Sequence, residues 1–162
     1  MGVLMDKKEL LKKVELRLQN YKFLEMQINN IELDIKKEKM EYRGCGAINY
    51  YERTGTTNNI SRTVENEVIA KEKKIEKLMQ YKSDKEIEKQ KIENALSCLD
   101  EFEISFFELL YCSKFKTTIP SVALKLHIDR SHGYRVREII LHKIMNMLYT
   151  EEIYSELHLI NS

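Results

Sequence analysis

The residues whose types and spacing could do chemistry lie between Lys114 and Lys143. Over 113–150, seven Lys and Arg side chains meet only Asp129 and Glu138, a local excess of five positive charges. Stepping 100° per residue along a helix over 130–148 puts Ser131, Tyr134, Arg135, Glu138 and His142 on one side, with Arg130 and Arg137 on its flanks. Hydroxyl, phenol and guanidinium groups on one helix surface suit a polyanion whose base edges carry donors and acceptors. A guanidinium can bond guanine O6 and N7 with two donors at once, so Arg135 is the foremost candidate for a base contact. Arg130, Ser131 and Tyr134, nearest the helix start, come next. Lys114, Lys116, Lys125, Arg137 and Lys143 suit phosphate contacts, which orient a protein on a duplex without specifying its sequence. An ordinary solvated helix face can carry the same residue types. What separates this segment from one is the charge asymmetry and the capped turn in front of it.

Spacing argues against other chemistries. His127, His132 and His142 are five and ten residues apart, which does not put two of them on one helix face as an i,i+4 zinc pair requires. Cys45, Cys98 and Cys112 are odd in number and contain no C-x-x-C pair, so they signal neither a disulfide framework nor a zinc ribbon. They read as buried or idle thiols in a reducing compartment. Gly44-Cys45-Gly46 lacks the Lys-Ser/Thr of a phosphate-cradling loop. No paired acids sit in an apolar setting, and no Ser/His/Asp or Cys/His set has a structural context. The expectation is a protein that is not an enzyme and uses no cofactor or metal.

The elements that must position the basic face follow from composition and periodicity. Of 162 residues, 33% are charged and 43% hydrophobic, with one Pro, five Gly and no Trp. So few breakers argue against a β-sandwich or a low-complexity chain and for an all-α fold. The net charge is only +1, from 27 basic and 26 acidic side chains, so a nucleic-acid partner must be argued from where charges sit. No apolar run approaches the ~20 residues of a bilayer span, and no N-terminal apolar leader is seen. The expectation is a cytoplasmic protein with no membrane partner.

From Met5 to about Met40, apolar residues fall at Val14, Leu18, Tyr21, Leu24, Ile28, Ile31 and Ile35, the three- and four-residue steps of one helical stripe. Glu9/Lys13 and Glu32/Lys36 add supportive i,i+4 pairs. Residues 42–60, with Gly44, Gly46, Gly55 and clustered Thr and Asn, read as a connecting loop. Ser61 is a plausible N-cap for a second long helix to about Ser97, with Val64, Val68, Ile75, Leu78, Met79, Ile87, Ile92, Ala95 and Leu96 apolar and the middle, Tyr81 to Gln90, polar. Neither stripe can hide alone. Residues 1–97 are therefore expected to form a long helical hairpin or coiled coil that oligomerises.

Residues 98–150 form the denser section, read as a DNA-binding domain, and 151–162 as an acidic tail. Thr118 is expected to cap a helix with Pro120 in its first turn, and Val122, Ala123 and Leu126 to face inward. His127-Ile128 makes a short turn whose Ile plugs the core. Asp129 caps the next helix, its carboxylate on the first-turn N–H groups. Val136, Ile139, Ile140, Ile144 and Met147 form the inward face, with Gly133 beside it for a close helix approach. This is a helix-turn-helix, whose second helix enters the major groove.

The segment LDEFEISFFELLYCSKFKTTIPSVALKLHIDRSHGYRVREIILHKI resembles the promoter-reading C-terminal domain of sigma-70-type factors, most of all the version in phage late-gene transcriptional regulators of the RinA/ArpU type. The likeness rests on Leu99 before a Phe-rich helix ending in Leu110-Tyr111, then Val122-Ala123, Leu126 and Ile128, then Tyr134-Arg135-Val136, Ile140 and Ile144. The layout of residues 5–97, two long helices about a Gly/Asn/Thr-rich junction, is echoed too. Gly133 and Asp129 depart from that pattern, standing where a small aliphatic and a Ser-type cap are usual. The resemblance implies double-stranded DNA as partner, transcriptional activation of phage genes and contact with RNA polymerase. Two other readings fit the same residues. One is a DNA-packaging factor resembling a small terminase subunit; the other is a helical adaptor that docks on RNA polymerase.

Overall fold

The structure, a computed structural model, describes residues 6–44 and 58–154, with side chains described over 6–41 and 65–154. Every regular element among them is a helix: α1 (Lys7–Gly44), α2 (Asn58–Leu96), α3 (Glu101–Phe107), a π-helical turn (Glu108–Cys112), α4 (Ile119–Lys125) and α5 (Arg130–Leu148). The all-α expectation, with a long N-terminal helix, holds. Two boundaries differ from the sequence reading. Helix α1 continues past Met40, because nothing between Glu41 and Arg43 breaks a helix and Gly44 is the first residue that does. Helix α2 begins at Asn58, so Ser61 lies inside its first turn rather than capping it. The centre of the expected loop 42–60 lies outside the described residues.

Packing gathers the chain into two units, one drawn from Met1–Leu24 and Glu88–Ser162, the other from Glu25–Ile87. In the first, Leu10, Val14 and Leu18 of α1 and Ile92 of α2 share one core with Phe106, Tyr111, Val122, Ile140 and Ile144. The short helices of 98–150 thus do not close a core by themselves; the ends of the long helices complete it. Asp100 starts α3 with a reciprocal cap: its carboxylate accepts from Glu103 N–H at 2.8 Å, and Glu103 accepts from Asp100 N–H at 3.1 Å. The π-helical turn after it widens the helix and leaves Tyr111 buried, its ring centre 5.5 Å from that of Phe107.

The inward face of α5 is Gly133, Val136, Ile140, Leu141, Ile144 and Met145. Ile139 and Met147, expected inside, are 47% and 55% exposed. Periodicity chose the face that would suit 98–150 alone. Because Leu141 also lines a groove with Lys8, Leu11 and Lys12 of α1, the buried strip is shifted toward Leu141 and Met145.

In the second unit, Ile35 and Glu38 of α1 are buried and Ile28 and Ile31 half-buried. Lys74 of α2 donates to Glu38, and Lys82 pairs with Glu32 at 3.3 Å. The stripe predicted on α1 is therefore the one its own hairpin uses.

Candidate nucleic-acid interface

Helices α4 and α5 are joined by residues 126–129. His127 holds φ at 55°, in the left-handed region. Its N–H donates to Leu124 O at 3.3 Å, and Ile128 N–H donates to Ala123 O at 3.0 Å. That pair of bonds is the Schellman ending of a helix, usually made by glycine because a Cβ is unfavourable there. Ile128 then packs against the core, as expected of it. Thr118 and Asp129 occupy the N-cap positions, but neither side chain makes a capping bond. The expected carboxylate cap is thus corrected: Asp129 contributes its carbonyl, which accepts from Gly133 N–H at 2.9 Å. Gly133 allows the two helices to approach, since a Cβ there would stand 3.1 Å from Ile119 Cγ2 and 3.3 Å from the Ala123 Cβ.

This joint brings Arg130, Ser131, Tyr134 and Arg135 together, all exposed, over the first two turns of α5. The Arg130 guanidinium lies 5.8 Å from the Tyr134 ring centre, a cation–π contact. Arg135 has no hydrogen-bond or ion-pair partner among the described residues. Glu138 is exposed and His142 half-buried one and two turns on. Lys114, Lys116 and Lys125 are exposed as well.

Two of the expected phosphate ligands are otherwise engaged. Arg137 donates from Nε at 3.1 Å and from Nη2 to Glu15 Oε1 of α1, and that bond raises its pKa. Lys143 Nζ lies 2.7 Å from both oxygens of Glu103, and its pKa is raised chiefly by that bond. Both cations brace α5 within the first unit rather than face outward unpaired. Their phosphate assignment is corrected accordingly: each is already paired with a carboxylate of the first unit and does not stand as a free cation.

Sequence reasoning missed three participants. Glu15 and Glu103 anchor α5, and no local signal places Glu15 beside Arg137, 122 residues away. The D-x-x-E spacing of Asp100 and Glu103 did announce a capping box. Phe115 is 76% exposed between Lys114 and Lys116. With Phe23, Lys116 and Tyr134 it lines a groove of about 730 Å³ beside the start of α5. An aromatic between two lysines was the available signal. Beneath that groove the Tyr111 hydroxyl is buried, with no hydrogen-bond partner among the described residues. Burial first and Glu15 second push its pKa up to about 12, with Arg137 opposing.

Among the described residues no cluster of His, Cys, Asp and Glu could hold a metal ion, and no helix is long and apolar enough to cross a membrane. Comparison with protein-family profiles, with curated proteins and with solved structures finds no match to this chain.

Proposed function

We propose that this chain is a non-enzymatic, sequence-specific regulator of transcription that binds double-stranded DNA, laying α5 in the major groove. On this reading Arg135, Arg130, Ser131 and Tyr134 meet base edges, and Lys114, Lys116 and Lys125 meet phosphates. Activation of phage or prophage genes is the role the sigma-like resemblance suggests, with the long helices joining copies of the chain. The observation that carries the proposal is the exposed, basic first half of α5, delivered by a four-residue turn from α4. A recognition helix of this type contacts bases with its N-terminal residues, which is where these side chains cluster.

Selection of bound duplexes from random DNA tests the reading directly. A recovered motif supports it. Arg135→Ala should then relax preference at one position of the motif, while Lys116→Ala should weaken all duplexes alike. Equal loss on selected and random DNA would remove Arg135 from base reading. A closed ring of chains in light scattering would favour the packaging role instead. If duplex binding with salt sensitivity were absent altogether, the polymerase adaptor would be the better account.

A further inference from the structure

Within the second unit α1 carries two apolar stripes, not one. Ile28, Ile31 and Ile35, followed by the buried Glu38, form the stripe closed off inside the hairpin. On the opposite side Met26, Leu33 and Met40 stand seven residues apart at 55%, 62% and 64% exposed. Asn30 and Lys37, both exposed, fall between them, so the series 26, 30, 33, 37, 40 keeps the alternating steps of four and three of a coiled-coil seam. Met26, Leu33 and Met40 take the d positions; Asn30 and Lys37 take the a positions.

We propose that this seam pairs with the same seam of a second copy as a parallel, in-register, two-stranded coiled coil. Orientation follows from layer chemistry. An antiparallel pair sets a opposite d, which would put Asn30 or Lys37 against Met26, Leu33 or Met40 in every layer. The parallel pair sets d against d, so the three apolar side chains meet their own counterparts and Asn30 meets the partner's Asn30. A polar Asn at one a position is a known device for fixing register and two-strandedness. The flanking charges agree. Lys36 falls at g and Glu41 at e, so Lys36 reaches the partner's Glu41, while Asn29 falls beside the partner's Asp34. No like charges meet at these flanking positions. Lys37 against its own counterpart is the one repulsive layer.

The inference deepens the self-association half of the proposed function and is tested without DNA, so its failure leaves the DNA reading standing. Sedimentation equilibrium of the full chain should show a concentration-dependent rise to the mass of two chains. Leu33→Glu should return it to the mass of one at the same concentration. Helix content by circular dichroism should be unchanged, since Leu33 is exposed. Ile69→Glu, on an exposed position of α2, should leave the dimer intact, and Lys37→Ile should lower its dissociation constant. In chains whose three cysteines are replaced by serine, Met26→Cys and Met40→Cys, mixed and oxidised, should form 26–26 and 40–40 bridges only. A wild-type chain that stays single, a dimer that survives Leu33→Glu, or 26–40 bridges would each overturn the proposal.

Discussion

At the scale of single residues, the structure holds two side chains in states that cost stability, and each gives a measurable effect. Tyr111 keeps a buried hydroxyl with no hydrogen-bond partner among the described residues. Tyr111→Phe removes it and should stabilise the fold by about 1 kcal/mol in denaturant titration. The pH dependence has a definite sign. The folded phenol ionises near 12 against an ordinary 10.0, so between those values the unfolded chain loses its proton first. This contribution is complete below pH 10 and is lost as pH rises toward 12, about 2–3 kcal/mol in all. The phenylalanine variant should show a shallower alkaline limb. An identical limb in both proteins would remove Tyr111 as its cause. His127 is the second case, held left-handed at φ 55° where a Cβ costs roughly 1–2 kcal/mol. His127→Gly should raise Tm by about 2–4 °C for each kcal/mol recovered; a fall would mean that the imidazole makes a compensating contact.

At the scale of elements, the contact between α4 and α5 is set by what position 133 lacks. Leucine there would have to displace Ile119 and Ala123, so Gly133→Leu should destabilise by about 1–3 kcal/mol. If the chain binds DNA as proposed, duplex affinity should fall with it as the helices part, and unchanged stability would show that the joint can yield. Much of this scale was legible in the sequence. The stripe Val14-Leu18-Leu24-Ile35 is the buried stripe of α1, and Pro120, Ile128 and Gly133 are placed where their chemistry asked, while Thr118 stands at the N-cap position without its side-chain bond. What escaped was decided by contacts far apart in the chain. Periodicity places Ile139 and Met147 inward because it cannot tell which neighbours a helix has, and α1 supplies the neighbour that turns α5. The π-helical turn at Glu108–Cys112 escaped as well, for it shows no breaker and no change of apolar pattern. His127 shows in the sequence only as part of a turn, since a left-handed histidine leaves no trace in composition.

For the molecule as a whole, near-neutral net charge means that any pull on DNA is local and must come from a few cations. The residue pattern offered seven of them over 113–150. The fold engages two, Arg137 with Glu15 and Lys143 with Glu103. If Arg135 and Arg130 read bases, Lys114, Lys116 and Lys125 remain for phosphates. Counterion release then gives a slope of log K against log salt of about −3 for each bound chain. Arg137→Ala should leave that slope unaltered, whereas Lys116→Ala should make it shallower by about one. A shallower slope for Arg137→Ala as well would return that guanidinium to the phosphate set. The division of labour among the cations was beyond sequence reasoning, because the carboxylates that decide it lie 40 and 122 residues away along the chain.

Glu103 shows what such double engagement entails. The same carboxylate closes the first turn of α3 and receives the ammonium of Lys143. Aspartate there would be a methylene too short to span both, glutamine would retain the cap yet leave Lys143 without its counter-charge, and alanine would forfeit both. In a saturation mutagenesis survey this position should therefore tolerate fewer alternatives than Glu101 or Glu108 on either side of it, though no ligand need ever touch it.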